Sequence, residues 1–153
     1  MDVKWQVKPF DQLDPFVLYA ILRLRVDVFV VEQSCPYPEL DGKDILEGTR
    51  HLWAQDQDGA VVAYLRILGP ENGYTGLGRV VTVPVNRGRG VARNLLARGL
   101  AEASRLWPAY PVKISAQEYL VAFYGEYGFV SVSSPYLEDG IPHVDMVLKR
   151  GQN

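Results

Sequence analysis

The sequence predicts an α/β (α+β) fold, a mixed central sheet flanked by helices. Three observations carry that prediction. Short segments alternate with a period of two, as where Val3, Trp5 and Val7 stand between Lys4, Gln6 and Lys8, which marks half-buried strands. Longer stretches repeat apolar residues three and four apart, as in Val91, Leu95, Leu96, Leu100 and Ala103, which marks amphipathic helices. The two kinds interleave along the chain, with no linker, repeat or low-complexity tract between them. With 153 residues, 48% of them hydrophobic, the chain suits one domain over 1–153. A domain of that size buries roughly 70% of its unfolded surface without disulfides or metals.

The elements follow in order. The first strand ends at Pro9, and Asp14-Pro15 starts a helix, the carboxylate capping free amides and the proline suiting the first turn. Leu18, Leu22, Val26 and Phe29 continue it, but the β-branched run through Val31 weakens its end. Glu32 to Arg50 reads as a long irregular loop, with Cys35-Pro36-Tyr37-Pro38, Asp41-Gly42 and Gly48 inside it. His51 to Gln57 and Ala60 to Leu68 are strands joined at Asp58-Gly59. Gly69 to Gly76 punctuates the chain before a buried strand, Arg79 to Val83, closed by Pro84. A glycine-rich turn leads into the helix from Val91, which stops before Pro108. Strand Pro111–Ala116, helix Gln117–Tyr127, strand Phe129–Ser133, a loop over Pro135–Pro142 and strand His143–Lys149 complete the pattern.

Composition excludes several function classes. Sixteen basic against eighteen acidic side chains leave a net charge of −2, so nucleic acid is not the expected partner. Cys35 is the single cysteine, which excludes an intrachain disulfide and a multi-cysteine zinc site, and two histidines alone make a poor metal centre. The start lacks a signal peptide's apolar core and no stretch is long enough to span a bilayer. The expectation is a soluble cytoplasmic protein without a membrane or metal partner; a homodimer is compatible with the sequence.

The unit with most chemical information is the strand Arg79–Val83, its turn, and the following helix. A helix start exposes unpaired amides and the positive end of the dipole. Gly88 and Gly90 let a ligand approach the backbone, and Arg87, Arg89 and Arg93 add positive charge, an arrangement that favours a phosphate or pyrophosphate. An ordinary strand-to-helix turn with solvated arginines is the alternative. The third glycine of a dinucleotide fingerprint and the Gly-Lys-Ser/Thr of a P-loop are both missing.

Arg87-Gly88-Arg89-Gly90-Val91-Ala92 resembles the Arg/Gln-x-x-Gly-x-Gly/Ala motif of the GNAT superfamily of N-acetyltransferases. Ala122-Phe123-Tyr124-Gly125-Glu126-Tyr127-Gly128-Phe129 resembles that superfamily's second motif, and the two occur in the family's order. Arg25 to Gln33, Cys35-Pro36-Tyr37 and Glu138 to His143 are similar to the ElaA group within it. The resemblance implies a sheet splayed between its fourth and fifth strands and acetyl-CoA as the acetyl donor. It implies a pantetheine arm along the free edge of Val80, Val81 and Thr82, and a pyrophosphate on amides from Gly88 through Arg89, Gly90, Val91 and Ala92 to Arg93. Gln117 falls where relatives often carry an asparagine that touches the cofactor arm. Tyr124 matches the tyrosine that protonates the leaving thiolate; packing of its ring against the sheet is the structural alternative.

A general base is harder to place, because an amine acceptor arrives protonated and must lose a proton before attack. The fifth-strand glutamate of some relatives corresponds here to Val112. Glu32, His51, Glu118 and His143 are the remaining candidates, Glu32 and His143 foremost. The implied function is acetyl transfer to a small-molecule or peptide amine; a non-catalytic acyl-CoA sensor is the alternative. Glu39, Asp41, Asp44 and Glu47 form an acidic loop that could attract a cationic acceptor, or simply a solvated face.

Overall fold

The alternation at the start of the chain becomes β1 (Lys4–Lys8), antiparallel to β2 (Arg50–Gln55), with Trp5 opposite Ala54 and Val7 opposite Leu52. The computed structural model describes residues 2–84, 87 and 90–149. Helix α1 (Pro15–Arg25) begins where Asp14 Oδ1 accepts from the amides of Phe16 (2.8 Å) and Val17 (3.4 Å). The β-branched run does not end the helix; it widens it. Val26–Glu32 is π-helical, with i→i+5 bonds such as Gln33 N to Val28 O.

Three hairpins organise the strands. The loop at Asp58-Gly59 spans residues 56–60, because Asp56 Oδ1 accepts from the amides of Asp58 and Ala60 and holds a wider turn. The stretch Gly69–Gly76 is not an interruption. β3 (Val61–Glu71) and β4 (Tyr74–Thr82) run through it and meet at Asn72-Gly73, both left-handed with φ of 54° and 85°. Likewise Pro135–Pro142 is not loop throughout: β7 (Tyr136–Glu138) turns at Asp139-Gly140 into β8 (Ile141–Leu148). The expected helix Gln117–Tyr127 is shorter, since Gln117 ends β5 (Val112–Gln117) and one 3₁₀ turn precedes α3 (Val121–Gly125).

The described residues form one eight-stranded sheet in the order β1-β2-β3-β4-β5-β8-β6, with β6 (Val130–Ser131) at the edge and β7 also on β8. α2 (Val91–Leu106) packs Leu95, Leu96 and Ala103 on the face that carries Leu65, Ile67 and Ile114. The approach is close: a Cβ on Gly99 would lie 2.7 Å from Leu65 Cδ2. α1 covers the opposite face through Ile21, Leu24, Trp53 and Tyr64.

Among the described residues every pairing is antiparallel except β4 with β5, which is parallel and confined to Thr75–Val112 and Gly76–Lys113. Beyond Gly76 the two strands part, as the family resemblance implies. A bulge in β4 marks the divergence: Arg79 is left-handed at φ 54°, and the register against β3 shifts between Tyr64 and Arg66. Such a conformation costs a non-glycine residue on the order of 1–3 kcal/mol. Here the Arg79 side chain is held by Glu39, Nε donating to Oε2 at 2.8 Å and Nη2 to the carbonyl at 3.0 Å.

Candidate active site

The gap between β4 and β5 is a cavity of about 480 Å³. Its wall includes Val80, Val81, Thr82, Ala92, Gln117 and Tyr124 from the expected donor site, together with Glu32, Arg87 and His143. β3 pairs with only one edge of Val80–Thr82, so the other edge meets the cavity with unpaired backbone groups.

At the start of α2, Gly90 is left-handed at φ 78° and, among the described residues, no side chain caps the helix. The first-turn amides are therefore free for an anion, on a helix whose dipole adds positive charge at that end. Val91 turns into the core, and Arg93 is exposed, 3.3 Å from Glu126. Gly88 and Arg89 lie outside the described residues. A free strand edge leading to an uncapped helix start suits a pantetheine arm ending in a pyrophosphate.

Tyr124 sits 7% exposed on the face of the sheet shared by Ile114 and Ala116, edge-on to Phe123 and Phe129. Burial raises its phenol to about 12, with the Tyr119 hydroxyl adding slightly. It thus carries its proton throughout the neutral range, inside the cavity.

The other candidates are placed differently. Glu32 is bidentate to Arg87 (2.6 and 3.0 Å), and that hydrogen bond holds its carboxyl below the ordinary carboxylate range. His51 is buried: Nε2 donates to the Asp44 carbonyl (3.0 Å), so Nδ1 accepts from the Tyr64 hydroxyl (2.6 Å). Burial lowers its pKa, and it faces Arg25 and Arg66 rather than the cavity. His143 donates from Nδ1 to the Ile141 carbonyl (2.7 Å), which leaves Nε2 3.6 Å from Glu138. Glu118 is exposed on the 3₁₀ turn and does not line the cavity. Val112 is fully buried, and its position offers no route for a base to the cavity. The Cys35 thiol donates to the Asp139 carbonyl (3.3 Å) and Gln117 Nε2 to Gln33 Oε1 (3.4 Å). Both contacts tie the early loop to the β5–β8 side of the cleft.

The acidic loop turns inward instead of meeting solvent. Arg25, 0% exposed, donates to Glu39 Oε2 and Asp44 Oδ1, both at 2.7 Å. Arg66 bridges Asp41 (2.9 Å) and Asp44 (3.2 Å), and Arg79 joins Glu39 to Asp41. Burial opposes charge on Asp41, but the Arg66 hydrogen bond, the Lys43 amide and both neighbouring arginines bring it down to about 2. Three of the four loop carboxylates are thereby neutralised in place, and their expected availability to a cationic acceptor is corrected to a structural role.

Sequence reasoning placed Asp145 on the His143 face of the last strand but did not connect it with two residues that the sheet brings to it. Ser115 Oγ lies 2.5 Å from the Tyr136 hydroxyl, which donates to Asp145 Oδ1 at 2.5 Å. Ser115 and Asp145 are paired across β5 and β8, and Lys113 Nζ stands 3.8 Å from Asp145 Oδ2. Only the alternation of these strands signalled that the residues share a face. Among the described residues no three histidine, cysteine, aspartate or glutamate side chains gather as a metal site. No helix of theirs is long and apolar enough to cross a membrane.

Comparison with known proteins agrees with this geometry. A family model described as "Acetyltransferase (GNAT) domain" matches residues 25–150. The chain is 48% identical over 139 residues to a UPF0039 protein of Mycobacterium tuberculosis, covering 88% of this chain and 86% of that one. It is 40% identical over 148 residues to the protein ElaA of Escherichia coli, covering 94% and 95%. The crystal structure of an acyl-CoA N-acyltransferase from Pseudomonas aeruginosa superposes with a TM-score of 0.92 at 48% identity, over 96% of this chain and 99% of that one. The fold, the splayed β4–β5 pair and these relatives together show that the chain belongs to the GNAT acetyltransferase family, in its ElaA-like group.

Proposed function

We propose that this protein is a cytoplasmic N-acetyltransferase whose 153 residues form one catalytic unit. It moves an acetyl group from acetyl-CoA to the amine of a small molecule or peptide by direct attack in a ternary complex. The observation that carries this reading is Tyr124, a buried phenol that keeps its proton and lines the gap between β4 and β5.

The chain's own residues then divide the work. The backbone edge of Val80, Val81 and Thr82 binds and aligns the pantetheine arm, with Gln117 beside it. The amides from Gly88 to Arg93 hold the pyrophosphate, with Arg89 adding charge. Binding donor and acceptor side by side removes most of the entropic barrier to a bimolecular reaction. Tyr124 gives its proton to the sulfur as the carbon–sulfur bond breaks, a role that contributes typically about 10²–10⁴-fold. On the acceptor side, Glu32 stays ionised but is committed to Arg87 at the rim, while His143 presents Nε2 at the wall.

Tyr124→Phe tests the assignment. Turnover with acetyl-CoA is expected to fall by about 10²-fold while coenzyme A affinity stays within about twofold. Unchanged turnover at saturating substrate removes Tyr124 from the acid role. The buried Val112 in place of a carboxylate also fits a non-catalytic acyl-CoA sensor. Tight coenzyme A binding with no thiol release across alkyl amines, polyamines and peptides would establish that reading instead.

A further inference from the structure

On the reading that this protein acetylates an amine, we infer that Ser115, Tyr136 and Asp145 form the route by which the acceptor's proton leaves. Ser115 is the catalytic contact; Tyr136 and Asp145 are positioning residues behind it.

The direction of the hydrogen bonds carries the argument. A carboxylate only accepts, so the single Tyr136 proton points to Asp145. The Tyr136 oxygen therefore accepts from Ser115, and the Ser115 proton is committed to it. Toward the cavity Ser115 Oγ presents lone pairs alone. A group so arranged recognises an N–H donor, and at neutral pH an alkyl ammonium is the strongest one.

Position supports the same conclusion. β5 alternates, so Ile114 and Ala116 face α2 and α3 while Lys113 and Ser115 face the other way. Tyr124 lies on the first face and Ser115 on the second, and both line the cleft between β4 and β5. The nucleophile then arrives from the side opposite the acid that receives the leaving sulfur. Ser115, with Leu77 and Ile114, also lines a second cavity of about 790 Å³, which reaches Asp145. The acceptor thus has an approach distinct from the donor's.

The proton balance closes. The ammonium N–H proton passes to Ser115 Oγ as the Ser115 proton moves to Tyr136 and the Tyr136 proton to Asp145. The neutral amine attacks; the carbon–nitrogen bond forms and the carbon–sulfur bond breaks. Tyr124 protonates the sulfur, and the second proton leaving nitrogen returns to the Tyr124 phenolate through water. Asp145, 28% exposed, releases the first to solvent, so the products are the amide, the thiol and one proton. Lys113 faces Asp145 from β5, His143 stacks on the Tyr136 ring at 6.2 Å, and Glu138 stands near both. Across the second cavity Lys43, Glu47, Arg50 and Glu71 complete the charged surroundings.

The test measures transfer from acetyl-CoA to spermidine, Nα-blocked lysine and a short peptide across pH, for the wild type, Ser115→Ala, Tyr136→Phe and His143→Gln. At neutral pH, Ser115→Ala and Tyr136→Phe are expected to lose about 10²-fold in kcat/KM for the amine, with KM for acetyl-CoA unchanged. That loss should shrink as pH nears the amine's own pKa of about 10, where no proton needs to be removed. A pH-independent loss in both variants, or no loss in either, overturns the relay. So does removal of the pH dependence by His143→Gln alone. A wild type that binds coenzyme A yet acetylates none of these amines overturns the underlying amine-transfer reading; an active wild type with indifferent variants overturns the relay only.

Discussion

One face of the sheet holds two regions built from the same kinds of residue. Over β2–β4, α1 and the early loop cover it, and Arg25, Arg66 and Arg79 are locked to Glu39, Asp41 and Asp44. Over β5 and β8 it stays open: Lys113 and Ser115 are exposed, and Tyr136 and Asp145 are half-buried. Burial explains the contrast. Charges removed from water must be paired, which commits the cluster's carboxylates and all of its buried donors but Arg66 Nε to partners within it. At the open region a hydroxyl can remain under-used, and an unused lone pair is what a substrate meets.

The largest test of this contrast is Arg25→Met. It leaves Glu39 and Asp44 without their central partner and should cost about 3–5 kcal/mol, read from urea unfolding. A cost below about 1 kcal/mol would show that the covered region is as tolerant as the open one. Acid should act on the same region next. The folded-state pKa of Asp41, about 2, and that of Asp44 are depressed, so their contribution is complete above the ordinary carboxylate range near pH 4 and fades toward pH 2. A thermal midpoint that holds level between about pH 4 and pH 2 contradicts this. The smallest stability effect belongs to Ser115→Ala, expected within about 0.5 kcal/mol of wild type although its activity falls.

Much of the fold was legible because local rules were obeyed. The Asp14 cap, the α2 stripe from Val91 to Ala103 and the β1 alternation are each set by residues close in the chain. Asn72-Gly73 and Asp139-Gly140 carried the same Asx-Gly turn signal as Asp58-Gly59, yet flanking glycines and prolines hid their strands. The proposed donor side rests on a related kind of signal, since strand, turn and helix start are contiguous.

The acceptor side was not contiguous. Ser115, Tyr136 and Asp145 come from three strands, and only the β5–β8 register and the β7 hairpin make them neighbours. The acidic loop was misjudged for the converse reason: its partners, Arg25, Arg66 and Arg79, stand on separate elements and give no local sign that they will neutralise it. The sequence by itself determined the fold class, the family and most of the elements, because periodicity, capping and contiguous motifs act within a few residues. Tertiary structure alone decided which charges are buried and which hydroxyl keeps an unused lone pair, because desolvation and long-range pairing depend on what the fold brings to face each other.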